Sequence, residues 1–276
     1  MNDTTMTNAP VPSAAPATPW TGMLPIEDTA LAVSDTGGPG TPVVYLNGAF
    51  AGSRHWKPVI AALGDGFRHI TFDERARGKS KRSADYSFEG CIRDLDAVLT
   101  ARRVARPILV GWSYGALIAA HWAARHPDRL TGAVGADGPY PAGWTDEAGH
   151  ERIRKLFARM RWMMPFVRPL GLAARMTAAQ HAESAIESHL LHAALEPVLD
   201  SIRVPFRYVV ASGEALGSKG TEQEDMRLTI NPVLSRNLHL KVSAKVAGDH
   251  GSILRKDFAA IAAATREVAA TVDVVR

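Results

Sequence analysis

Short apolar runs alternate along the chain with longer stretches in which apolar residues recur every three or four positions. The segments 42–46, 68–72, 108–110, 131–136, 205–211 and 238–242 read as buried strands, and 29–33 as a further, shorter one. Helical spacing appears in Trp56, Ile60 and Leu63 within 53–63, and in Ile92, Leu95, Val98 and Leu99 within 88–103. It returns over 114–126, where Pro127 stops it, over 221–236, interrupted at Pro232, and over 258–268. Strands and helices in this alternation predict an α/β fold with a mostly parallel sheet flanked by helices.

The alternation lapses between Gly138 and Pro205, which predicts a helical cap inserted at 139–197 into a core made of 20–138 and 198–276. Ile153, Leu156, Phe157 and Met160 give the first cap helix an apolar stripe. The basic residues of the stretch 151–175, Arg152, Arg154, Lys155, Arg159, Arg161, Arg168 and Arg175, read first as a solvated face and second as a lure for an acidic substrate or carrier.

Composition narrows the classes further. A length of 276 residues with 46% hydrophobic content suits one large domain with an insertion. Residues 1–19, rich in Ala, Pro, Thr and Ser, read as a disordered tail; with no apolar span for a bilayer, a soluble cytoplasmic protein is expected. A single cysteine, Cys91, rules out an internal disulfide framework and a multi-thiolate metal site, so no metal or cofactor is expected. The net charge of +4 comes without basic stretches interleaved with aromatics, which argues against a nucleic-acid partner and leaves a small molecule as the expected one.

The candidate chemistry lies in Gly111-Trp112-Ser113-Tyr114-Gly115, where a predicted strand turns directly into a predicted helix. A G-x-S-x-G in that context is a nucleophile elbow, in which a strained turn lifts the serine hydroxyl above the sheet edge. A serine is a poor nucleophile at neutral pH and needs a base beside it. Of the ten histidines, His250 is the candidate, since it follows the last strand in Gly248-Asp249-His250-Gly251.

With the Asn47-Gly48 loop, the charged segment 73–80 and the helix end at 125–129, these motifs resemble the α/β-hydrolase fold superfamily over most of the chain outside the tail and the cap. The resemblance implies an oxyanion hole from the backbone amides of Ala49 and Tyr114. It also implies an acid after the strand at 205–211, but Leu216 stands at the expected place. Two carboxylates remain: Asp137, past the preceding strand at the position some members use, and Glu214, of which Asp137 is chosen. Asn47 replaces the usual histidine and Ala76 the usual loop glycine; segment 73–80 itself reads as a solvated, ion-paired turn.

Asn47, Phe50, Trp112, Trp162 and Phe166 are the expected substrate contacts. The expected activity is hydrolysis of a carboxylic ester, lactone or thioester through an acyl-enzyme on Ser113. Carbon–carbon hydrolysis, acyl transfer, peracid formation and a non-catalytic binding role stand as alternatives. A serine at the elbow argues against dehalogenase or epoxide hydrolase chemistry, which uses a carboxylate nucleophile there.

Overall fold

A computed structural model describes residues 17–49, 51–142, 146–163, 174–213 and 222–273. Its strands are β1 Trp20–Ile26, β2 Thr29–Asp35, β3 Thr41–Leu46, β4 Phe67–Phe72, β5 Ile108–Trp112, β6 Gly132–Ala136, β7 Phe206–Ala211 and β8 Leu240–Val246. They form one sheet in the order β1-β2-β4-β3-β5-β6-β7-β8, antiparallel at β1-β2-β4 and parallel from β4 onward. The central strands β5, β6 and β7 are almost wholly buried, as continuous apolar runs must be when helices cover both faces. β1 alternates half-buried and exposed positions, as an edge strand does.

Helices α1 Lys57–Leu63 and α10 Phe258–Asp273 cover one face, burying Trp56, Val59, Ile261 and Val268 against β3, β5 and β6. Helices α2 Phe88–Ala101 and α3 Tyr114–Arg125 cover the other, where Leu95, Leu117 and Trp122 are fully buried. Together they make the expected α/β architecture, a mostly parallel sheet between two helical layers.

Between β6 and β7 lie α4 Glu147–Met160, α5 Ala178–Ala193 and α6 Leu195–Ser201. Ile153 and Phe157 of α4 pack on Ala182 and Ile186 of α5, whereas Leu156, expected in the same stripe, is 54% exposed. Leu195 and Leu199 of α6 join the main core, so the core resumes before residue 198. Arg154 is matched by Glu147 and Glu183, Lys155 by Glu151 and Arg152 by Asp146, while Arg175 donates to the Gly78 and Ser80 carbonyls. Arg168 lies outside the described residues.

Several boundaries differ from expectation. The predicted tail ends before residue 19, because the Ala17 carbonyl accepts from Gly38 N at 2.7 Å and β1 follows at once. The 53–63 helix opens with a 3-10 turn at Ser53–Trp56. Residues 221–236 hold two helices, α7 Glu222–Leu228 and α8 Asn231–Arg236, and Pro232 begins the second instead of interrupting one helix. After β8 come α9 Ile253–Lys256 and then α10. Among the described residues no helix is long and apolar enough to cross a membrane.

Candidate active site

The sharp turn at Ser113 begins with close packing of backbone on backbone. A side chain at Gly111 would collide with the Gly115 carbonyl, and one at Gly115 with the Leu46 carbonyl, so both positions need glycine. Ser113 itself takes φ 55° and ψ −117°, a sparsely populated conformation for a residue with a β-carbon. Its amide donates to Ala136 O at 3.2 Å, and its carbonyl accepts from Ala116 N and Leu117 N in the first turn of α3. The side chain therefore stands at the carboxyl end of the sheet with its backbone fixed on both sides.

His250 follows β8 in a turn shaped by Asp249, whose carboxylate accepts from Gly251 N, Ser252 N and the Ser252 hydroxyl. His250 Nε2 lies 2.9 Å from Ser113 Oγ and Nδ1 lies 2.8 Å from Asp137 Oδ2. An ionised carboxylate only accepts, so Nδ1 carries the proton and Nε2 is left to accept from the serine hydroxyl. The indole of Trp112 donates to the His250 carbonyl at 3.0 Å, its ring centroid 5.8 Å from the imidazole. Trp112, expected to touch substrate, also braces the histidine loop through this bond.

Asp137 sits past the end of β6 with φ 48°, its amide on Val209 O and its carboxylate 1% exposed. Oδ1 accepts from Ala211 N at 3.1 Å, Tyr140 OH at 3.0 Å and Arg227 Nε at 3.2 Å. Oδ2 accepts from His250 and from Arg227 Nη2, the latter at 3.2 Å. Burial pushes the carboxyl up, but hydrogen bonds from His250 and Arg227 outweigh it and hold Asp137 below its ordinary value. Of the two candidate acids, Asp137 is hydrogen-bonded to the histidine, and Glu214 lies outside the described residues. The Arg227 and Tyr140 contacts carry no sequence signal: Glu-Gln-Glu-Asp-Met-Arg-Leu reads as a solvated helix, and Tyr140 as loop.

The loop after β3 is braced from beneath. Gly48 O accepts from Ala51 N at 3.0 Å, which holds the peptide carrying the Ala49 amide, and Arg77 Nε donates to Ala49 O at 2.7 Å. Tyr114 is the first residue of α3, so its amide has no acceptor one helical turn earlier. Asn47, expected as a substrate contact, is 1% exposed and spends its side chain internally: Nδ2 donates to Phe72 O and Glu74, and Oδ1 accepts from Trp56. Glu74 also accepts from Asn47 N, and burial pushes its carboxyl up.

The charged segment below is accordingly not a solvated turn. Asp73, Glu74, Arg75, Arg77 and Ser80 are all buried; Asp73 accepts from Ser53 N and Lys79 N, and Arg75 forks onto Asp94 and reaches Glu27. Ala76 takes φ 60° in its midst. Trp162 is 68% exposed, and Phe50 and Phe166 lie outside the described residues. A cleft of about 720 Å³ borders this segment, lined by Met23, Ala51, Asp73, Arg77 and Arg175, but neither Ser113 nor His250 lines it.

Comparison with known proteins bears on the fold. The chain is 28% identical over 203 residues to a haloalkane dehalogenase of Mesorhizobium japonicum, a match covering 72% of this chain and 63% of that protein, less than two thirds of its length. Among solved structures, the enol-lactonase from Burkholderia xenovorans superposes with a TM-score of 0.67 at 18% identity, over 90% of this chain and 100% of that one. The esterase from Exiguobacterium antarcticum gives 0.69 at 19%, over 87% and 96%. At these identities the structural likeness carries the fold alone. Residues 41–220 match the model of the alpha/beta hydrolase fold family, and the chain belongs to that family.

Proposed function

We propose that the protein is a serine hydrolase that cleaves a carboxylic ester, lactone or thioester of a small molecule through an acyl-enzyme on Ser113. The observation that supports this most is the unbroken hydrogen-bond chain from Ser113 Oγ through His250 to Asp137. Ser113 Oγ attacks the carbonyl carbon as its proton passes to His250 Nε2, and Asp137 stabilises the imidazolium and fixes its tautomer. Negative charge gathers on the carbonyl oxygen, beside the amides of Ala49 and Tyr114. Collapse breaks the bond to the alcohol or thiol, which leaves with the proton from His250. Water then loses a proton to His250 and attacks the acyl carbon; collapse of the second intermediate frees the acid and returns the proton to Ser113.

Each step uses side chains of this chain, its backbone amides and water. The haloalkane dehalogenase relative does not redirect the reading. Displacement of a halide by the enzyme needs a carboxylate at the elbow, and residue 113 supplies an alcohol.

The test is covalent labelling with a fluorophosphonate, read by mass spectrometry, together with hydrolysis of p-nitrophenyl acetate. Wild type should carry the label on Ser113, His250→Ala should not, and Ser113→Ala should lose the hydrolysis. An unlabelled Ser113 in folded wild-type protein overturns the proposal.

A further inference from the structure

Among the described residues Asp137 has two basic partners, and only one of them leads to Ser113. The other, Arg227 on α7, is 8% exposed and grips both carboxylate oxygens at 3.2 Å. Its Nη2 also donates to Gly213 O at 3.2 Å and to Gln223 Oε1 at 3.3 Å. The guanidinium therefore ties Asp137 to the end of β7, the strand after which the family resemblance places the acid. Asp137 reaches that same strand end through the amide of Ala211. An arginine buried this deeply needs a counter-charge, and among the described residues Asp137 is the carboxylate on which it rests.

One carboxylate carries one charge, and here it faces a permanent cation and a group that becomes a cation only when it takes a proton. We propose that Arg227 is a positioning residue that divides the charge of Asp137 between itself and His250, keeping the imidazole an unprotonated base further into acid than an unshared carboxylate would allow. The inference rests on the serine-hydrolase reading of the site.

The sign follows from electrostatics. A fixed positive charge one carboxylate away disfavours imidazolium, so removing it favours protonation of His250. The acid limb of kcat/KM then moves to higher pH, by on the order of one pH unit. The other described groups facing the pair leave this direction intact. Tyr140 donates to Asp137 as a neutral phenol, and Ser113 and the Trp112 indole are uncharged. Asp249 is engaged by its own turn, and Asp257, near Gly248, is common to wild type and variant.

The experiment compares wild type with Arg227→Gln and Arg227→Lys. The readouts are kcat/KM for p-nitrophenyl acetate between pH 4.5 and 9, and the titration of the His250 imidazole by NMR. The glutamine should raise both midpoints by about one pH unit, while lysine, which keeps the charge but not the fork, should hold them near wild type. Should the glutamine variant not fold, Arg227→Met gives the same reading; failure of both to fold overturns the proposal in favour of a purely structural arginine. Unmoved midpoints in a folded neutral variant, or equal movement in the lysine variant, also overturn it. The NMR titration needs no turnover. A wild type without Ser113-dependent hydrolysis would refute the functional reading, yet the effect of Arg227 on His250 would still be measured.

Discussion

Two histidines stand close to the elbow in opposite surroundings. His121 rides α3, eight positions beyond the serine, 6% exposed and edge-on to the Phe88 ring at 4.8 Å. Its Nε2 is buried without a partner among the described residues, and burial, helped by Arg125, pushes its pKa down to about 4. His250 keeps 31% of its side chain exposed and has both ring nitrogens engaged, one on a carboxylate and one on a hydroxyl. Burial alone makes an imidazole neutral and inert. A base requires one nitrogen held by an acceptor and the other aimed at a proton it can take.

The contrast is broken most directly by removing each imidazole. His250→Ala and Ser113→Ala should each lower kcat/KM for an activated ester by about 10⁴-fold or more, with the fold retained on circular dichroism. His121→Gln should change it by less than about threefold; a large loss there would erase the distinction. Asp137→Asn comes next, with a loss of about 10³ to 10⁴-fold, because the amide no longer fixes the imidazole with its proton on Nδ1.

His121 should announce itself in stability instead. Its folded pKa lies below the ordinary 6.5, so the unfolded chain takes up the proton first as the medium acidifies. Stability is full above about pH 6.5 and declines toward pH 4, by up to about 3 kcal/mol. Urea denaturation of His121→Phe across that interval should show a flatter acid side than wild type; identical slopes would place the imidazole outside the linkage.

A milder loss of activity is expected at the brace on the histidine loop. Trp112→Phe removes the indole donor to His250 O and should reduce kcat/KM about fivefold without changing the pH profile.

Ser113 is legible in the sequence because the motif, the strand before it and the helix after it are all local. His250 is legible because its loop carries a motif and follows the last strand. Asp137 is readable once Leu216 is seen where a carboxylate is expected. What is hidden depends on which side of a residue meets which neighbour. Asn47 looks like a polar loop residue but is saturated by Phe72, Glu74 and Trp56. The segment Asp73 to Ser80 has the composition of a surface turn, yet it is buried because Asp94 and Glu27, distant in sequence, arrive to match Arg75. β1 escapes because its half-buried positions include Gly22 as well as Trp20, Leu24 and Ile26, so the alternation is blurred.

The order of the pieces along the chain has a last implication. Ser113 and Asp137 emerge from adjacent strands, β5 and β6, and both are already in place before the polypeptide departs into α4 and α5. The excursion can therefore be lengthened, shortened or exchanged for a foreign one without tugging on either group. Only the histidine has to be delivered afterwards, on a strand whose partner β7 is itself anchored to Asp137. Such an arrangement is modular, and grafting a different lid between residues 141 and 194 should change what the scaffold accepts while leaving its reacting groups where they are.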